Sequence, residues 1–239
     1  MDKNILDTLR EQKQLKLKGN LYHITQIKFA YNTNHIEGST LTEDQTRFMY
    51  ETNTLINEVD KATNIDDIVE TANHFYLFDY MLDTVENSLS EELIKEYHKL
   101  LKRGSSSERL DWFKVGDYKT LKNEVSGNVT TLPENVHAEM KEFIIWYNSL
   151  GKVFFDDILE FHYRFESIHP FQDGNGRIGR IIMFKECLKN NIVPFIVMDE
   201  YKAYYYRGLK EFRNEKGYLT DTCLLMQDKY KEIITKLCN

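Results

Sequence analysis

Proline ends a helix by fixing φ and removing a backbone donor, and this chain of 239 residues has only three. Between them run long stretches without a breaker, where apolar residues recur at helical spacing. Leu21, Ile24, Ile27 and Tyr31 mark one face that Gly38 can stop. Thr42 and Gln45 form a capping box that opens a helix through about residue 51. Ile65 to Leu82 and a Ser90-capped segment through Leu101 repeat the pattern, as do 134–149, 155–167, 177–189, 200–213 and 219–237. An all-α fold is expected. Residues 104–133 break the rule. They hold Gly104, Gly116, Gly127, Pro133 and alternating pieces such as YKTLK and NEVSGNVTT, so they predict a loop with a short β-hairpin. The composition never shifts enough to divide the chain, which reads as one helical unit.

With 41% hydrophobic and 29% charged residues, the sequence can form a sizeable core. A net charge of −7 argues against a broad electrostatic grip on nucleic acid or an anionic membrane. No apolar run is long enough to span a bilayer, and MDKNILDTLREQ lacks an apolar signal core, so a cytoplasmic protein is expected. Cys187, Cys223 and Cys238 are scattered, which predicts neither a disulfide framework nor a metal cluster and suits a reducing compartment.

The chemistry concentrates in SIHPFQDGNGRIGR. Glycines at 174, 176 and 179 stand among His169, Asp173, Asn175, Arg177 and Arg180, ahead of a helical pattern at Ile178, Ile181 and Ile182. A turn of this kind feeding a helix N-terminus presents free N–H groups and the positive end of the dipole, a site for phosphate. Arg177 and Arg180 share a helix face and can clamp further phosphate oxygens. Asp173 offers the hard oxygen that Mg²⁺ prefers. His169 has the pKa of a general base. No Gly-Lys-Ser/Thr follows, so this is not a Walker loop. No strand precedes it, so it is not a dinucleotide fingerprint.

These residues match H-x-F-x-D/E-G-N-G-R-x-x-R at every specified position: His169, Phe171, Asp173, Gly174, Asn175, Gly176, Arg177 and Arg180. The string resembles the Fic family signature, and the resemblance extends from about residue 30 to about 215. It implies an all-α domain with a β-hairpin flap before the motif, a Fic core over 61–239, and N-terminal helices over 1–60 in the same compact unit. It further implies transfer of AMP from ATP to a Tyr, Ser or Thr hydroxyl of a target protein, which can be the chain itself. His169 would deprotonate that hydroxyl, and Asp173 would hold Mg²⁺ or Mn²⁺. Gly174, Asn175 and Gly176 would bind the α- and β-phosphates, Arg177 and Arg180 the β- and γ-phosphates, and Phe171 would pack beneath the loop. The related Doc toxins carry Lys where this chain has Gly176, so Gly176 argues for nucleotidyl transfer. The flap, with Lys119, Val125 and Gly127 as target-binding candidates, departs from the family's Gly-x-Tyr/Phe-Arg start: here it reads Gly116-Asp117-Tyr118-Lys119.

Residues 33–38 read Thr-Asn-His-Ile-Glu-Gly. Gly38 is a natural left-handed stop, whereas Glu37 opposes the dipole at a helix C-terminus. Thr33, Glu37 and Gly38 match the S/T-x-x-x-E-G/N pattern of class II Fic proteins, whose N-terminal inhibitory helix implies a Glu37–Arg180 pair in the γ-phosphate's place. Tyr205 and Tyr206, with Asn214 behind them, are adenine-pocket candidates by the same resemblance. His162 reads as a packing histidine, and His98 shows no ligand spacing with the other histidines. Transfer of another nucleotidyl or phosphate-containing group, removal of AMP by the same site, and a catalytically silent nucleotide-binding regulator stand as alternatives. The sequence leaves a homo-oligomer open.

Overall fold

A computed structural model describes residues 4–56, 62–125 and 128–238. Among the described residues ten α-helices carry the fold: α1 (Ile5–Leu15), α2 (Leu21–Ile36), α3 (Glu43–Thr52), α4 (Ile65–Asp83), α5 (Glu91–Lys102), α6 (Pro133–Asn148), α7 (Phe155–Ile168), α8 (Asn175–Lys189), α9 (Lys202–Glu211) and α10 (Gly217–Cys238). Their starts follow local chemistry. The side chains of Asn20, Thr42, Asn64 and Ser90 each accept a hydrogen bond from a first-turn N–H. The expected capping box forms in full between Thr42 and Gln45. Pro133 stands at the first position of α6, where its missing donor costs nothing. Glu124–Val125 (β1) and Asn128–Val129 (β2) pair antiparallel, Glu124 with Val129 and Val125 with Asn128.

Two helices lie at the centre. α2 packs against α1, α3, α4, α8 and α10. It therefore buries Thr25, Gln26, Asn32, Thr33 and Asn34 as well as Leu21, Ile27 and Phe29, and not the single apolar stripe its sequence suggests. α8 is buried from Asn175 to Leu188. It divides the apolar interior: Ile178, Ile181, Ile182 and Phe184 join the larger cluster, Met183 and Cys187 the smaller one. A helix gripped on both sides presents its N-terminus at a fixed place. Cys187 and Cys223 are free and buried. Among the described residues no helix is long and apolar enough to cross a membrane.

Candidate active site

α7 ends at His169, which adopts the left-handed conformation (φ 51°, ψ 62°) and donates its N–H to the Phe165 carbonyl at 2.9 Å. A non-glycine residue is uncommon there, and the turn swings the chain sharply into residues 170–174. Gly174 (φ 84°) then caps α8. The loop between them is held from inside. The Asn175 amide accepts from the Phe171 N–H and donates to the Phe171 carbonyl, both at 2.8 Å. The Asn175 side chain is thereby committed to loop shape. What the loop offers an anion is backbone: the first intrahelical bond of α8 runs from Ile178 N to Gly174 O, so the N–H groups of Asn175, Gly176 and Arg177 have no acceptor within the helix.

Phe171 is buried beneath this loop, stacked on His98 at 4.0 Å between ring centroids with an interplanar angle of 1°. His98 of α5 also ties two segments together. Its Nδ1 accepts from Gly116 N–H at 3.0 Å, which leaves Nε2 protonated and donating to the Asp173 carbonyl at 3.1 Å. Burial pushes this imidazole down to about 3, so it stays neutral. Spacing among histidines could not reveal this role, because its partners are backbone groups distant in sequence.

Charges surround the α8 N-terminus in pairs. Arg180 donates to Thr33 Oγ1 at 2.7 Å, to the Thr33 carbonyl at 3.0 Å and to Glu37 Oε1 at 2.6 Å. Against the opposing effect of burial, Glu37 holds the Arg180 guanidinium above its ordinary value. Glu37 caps the C-terminus of α2, and its carboxylate lies directly over Gly176, where a Cβ would come within 2.2 Å of Oε1. Arg177 donates to Glu70 of α4, to Asn34 Oδ1 at 3.3 Å and to Asp173 Oδ2 at 3.2 Å. Lys102 of α5 donates to Glu70 and, at 2.7 Å, to Asp173 Oδ2. Despite burial, Arg177 and Lys102 hold the Asp173 carboxyl well below the usual carboxylate range.

Three cations thus face three carboxylates. The Arg177, Arg180, Lys102 and Glu70 side chains are under 10% exposed, whereas Glu37 is 30% and Asp173 49% exposed. A cleft of about 210 Å³ opens among Asn34, Glu37, Glu70, Lys102, Asp173 and Arg177. Glu70 and Lys102 were not legible as site residues: one sits in an ordinary helical pattern, the other where a solvated C-terminal cation is expected. Asp173 is a half-exposed hard carboxylate, and among the described residues no group of three or more His, Cys, Asp or Glu side chains could hold a metal. That donor set suits a cation bound largely by water and phosphate oxygens, the habit of Mg²⁺.

On the other side of the 168–171 turn lie Tyr118, Lys119, Asn123 and Thr130. Lys119 donates its backbone N–H to the Pro170 carbonyl at 2.9 Å. Its ammonium, 4% exposed as a residue, reaches Thr130 Oγ1 at 2.6 Å, Asn123 Oδ1 at 2.7 Å and the Ile168 carbonyl at 3.3 Å. Asn123 donates to the Phe171 carbonyl at 3.0 Å. Lys119 therefore anchors the root of this segment inward and offers no exposed face for a target. Val125 lies in β1, and Gly127 lies outside the described residues.

The tyrosines separate. Tyr205 is 1% exposed, with its hydroxyl bonded to His162 Nε2 and its ring 5.9 Å from the Arg180 guanidinium, so it backs the arginine from behind α8. Tyr206 is exposed, and its hydroxyl donates to the Ile36 carbonyl at 3.3 Å. Asn214 bonds Glu211 at the surface.

The sequence model of the Fic/DOC family matches residues 88–187. A protein adenylyltransferase Fic from Nematostella vectensis is 26% identical over 88% of this chain and 51% of its own length. Protein adenylyltransferase fic-1 from Caenorhabditis elegans is 27% identical over 77% and 36% respectively. The chain thus spans about half or less of the curated relatives it matches. Among solved structures, a Fic-domain-containing signalling protein from Bacteroides thetaiotaomicron superposes with a TM-score of 0.76 at 22% identity, covering 96% of this chain and 94% of the other. A fragment of Fic-1 from C. elegans gives 0.73 at 21%, covering 96% and 68%. The fold is theirs, and residues 88–187 of this chain match the Fic/DOC family.

Proposed function

We propose that this chain transfers AMP from ATP to a hydroxyl of a protein, itself included, and that Glu37 restrains the reaction. The observation that carries the reading is that His169, the candidate base, stands at the turn leading into an α8 N-terminus flanked by two buried arginines. The matched relatives that bear the name adenylyltransferase support the same chemistry.

In this reading His169 Nε2 takes the proton from the target hydroxyl as its oxygen attacks the α-phosphorus. The α–β bridge breaks, and pyrophosphate leaves with the bond's electron pair. The N–H groups of Asn175 and Gly176 steady the α- and β-phosphates, and Arg177 and Arg180 the outer ones. The Tyr206 ring, exposed beside the end of α2, is the better adenine candidate; Tyr205 supports Arg180. Mg²⁺ or Mn²⁺ would be held by Asp173, and when bound it would offset charge at the α–β link. Lys119 fixes the root of a flap whose paired strands, around Val125 and Gly127, would hold an extended target segment by backbone bonds.

Restraint follows from charge balance. Every cation in the site already has a carboxylate partner, so a triphosphate must displace one. Of the three acids that pair with the arginines, Glu70 is buried and Asp173 lies beside the anion loop, and Glu37 alone sits over Gly176. Residues 1–60 would then form the regulatory part of one compact unit and 61–239 its Fic core. The free cysteines suit a reducing, cytoplasmic setting.

ATP labelled at the α-phosphate, incubated with the purified chain, should leave label bound to protein after denaturation, and ATP labelled at the γ-phosphate should not. Retention of the γ-label instead would make the chain a kinase. Retention of neither, with saturable binding, would make it a regulator.

A further inference from the structure

The proposed base has a neighbour that the signature does not contain. Glu166 lies one turn before His169 on α7, with its Oε2 3.7 Å from His169 Nδ1. Both side chains are largely buried, at 14% and 17% exposure. His169 Nδ1 and Glu166 Oε1 are buried without a well-formed hydrogen bond among the described residues. A buried, unsatisfied polar atom is costly, and here two belong to adjoining side chains. Gly179 on α8 makes room for the Glu166 carboxyl: a Cβ there would stand 3.0 Å from Glu166 Oε1 and 2.7 Å from the His162 ring. His169 takes the left-handed conformation at the end of α7, with its imidazole beside this carboxyl group.

We propose that Glu166 is the positioning residue of the general base: its carboxyl accepts the His169 Nδ1–H, so that Nε2 keeps the lone pair for the target hydroxyl. The inference rests on the adenylyl-transfer reading for its consequence, though not for its geometry. A carboxylate behind an imidazole fixes the tautomer, and it favours the imidazolium that forms when the proton arrives. The carbonyl of Glu166 faces the same ring and is the rival acceptor.

Burial, reinforced by the nearby Glu37 charge, pushes the Glu166 carboxyl up to about 8. Burial and the Lys119 ammonium push the His169 imidazole down to about 4. Arg180 from α8 opposes the first shift, and Glu37 and Asp173 oppose the second. His162 on α7 is neutral and Tyr205 on α9 holds its proton, so neither adds charge. Withdrawal of Glu37 removes one repulsion from Glu166 and eases its ionisation. The arrangement would thus couple release of the anion site to readiness of the base.

The test uses the full chain and three variants: Glu166→Gln, which keeps the shape and an accepting oxygen, Glu166→Asp, and Glu166→Ala, which removes the acceptor. Imidazole NMR of ¹⁵N-labelled protein reads the His169 tautomer and titration whether or not transfer occurs, and a melting curve checks folding. In Glu166→Ala the Nδ1–H tautomer should lose population, whereas Glu166→Gln, whose amide oxygen still accepts, should keep it. AMP transfer by Glu166→Ala should fall about 10- to 100-fold in kcat, with ATP affinity within twofold. Glu166→Asp should restore part of the loss. An unchanged tautomer in Glu166→Ala would overturn the proposal in favour of the backbone carbonyl. So would equal losses of ATP affinity and kcat, which would put Glu166 to work on Arg180. If neither wild type nor variants transfer AMP, the enzymatic reading falls while the NMR arm still decides what Glu166 does to His169.

Discussion

The two flanks of His169 are built from different materials. On the side proposed for the nucleotide, Arg177, Arg180 and Lys102 are buried against Glu70, Glu37 and Asp173, with partners drawn from α2, α4 and α5. On the flap side, two strands of two residues each stand on a root held by Lys119, Asn123 and Thr130, mostly through neutral oxygens and backbone. Buried ion pairs tolerate little. The charge left behind by a lost partner is stranded in low dielectric, at about 3–5 kcal/mol. Backbone-edge contacts tolerate much, because any residue supplies an N–H and a carbonyl. A site with one rigid and one permissive flank can demand one nucleotide and accept varied protein segments.

The largest expected effect lies where the flanks meet. His169→Ala should lower AMP transfer by about 10²–10⁴-fold, the usual share of a general base, while leaving ATP binding intact. Equilibrium binding and labelled-AMP incorporation, measured on the same preparation, separate the two. Undiminished transfer would remove the hinge on which the comparison turns.

Next in size is the stability of the charged flank. Glu70→Gln leaves Arg177 and Lys102 to share one remaining carboxylate, Asp173, so urea unfolding should show a loss of about 3 kcal/mol. Lys119→Met, on the flap side, should cost about 1–2 kcal/mol, because its partners are neutral oxygens. Equal losses would mean that the two flanks do not differ in kind.

Release of the charged flank comes third. Glu37→Gly frees Arg180 and clears the space over Gly176, and should raise AMP incorporation about tenfold or more, because a small misplacement of the reacting phosphate costs about a hundredfold. Arg180→Ala also releases Glu37 yet should stay inactive, since a phosphate ligand goes with it. If Glu37→Gly is no faster than wild type at matched stability, the carboxylate over Gly176 is an ordinary cap.

How much of this the sequence made legible tracks the same divide. The helices were readable because their caps are local: Thr42 with Gln45, Ser90 with Leu93, Pro133 at a first turn. The phosphate loop was readable because glycines, His169 and the arginines fall within twelve residues. Glu37 was readable as a charge at odds with its helix dipole, and its partner came from family resemblance. Glu70, Lys102 and His98 were not, because each acts on residues about 70 to 110 positions away and leaves no periodic trace. The buried polar face of α2 was hidden for a similar reason: Thr33 and Asn34 look exposed until α8 brings Arg180 and Arg177 to them. Long-range polar pairing is decided by topology, whereas caps and turns are decided by neighbours.

The smallest effect tests the permissive flank directly. Val125 pairs with Asn128 in β1 and β2, and it enters the proposal through its backbone alone. Proline at this position removes an N–H and fixes φ, which should weaken capture of an extended segment by about one hydrogen bond. One net hydrogen bond is worth about 1 kcal/mol, or about fivefold in the KM for a protein target. ATP affinity should hold, since the charged flank is anchored through α2, α4 and α5. Val125→Thr is the control, because it keeps backbone and β-branching and changes only side-chain chemistry. If the flap reads backbone, threonine should leave target KM within twofold while proline raises it. Should threonine do as much damage as proline, the flap reads side chains, and both flanks would be selective after all. Should proline depress ATP affinity and target KM together, the hairpin would be a strut of the nucleotide flank, and the division drawn here would have to move to the far side of Lys119.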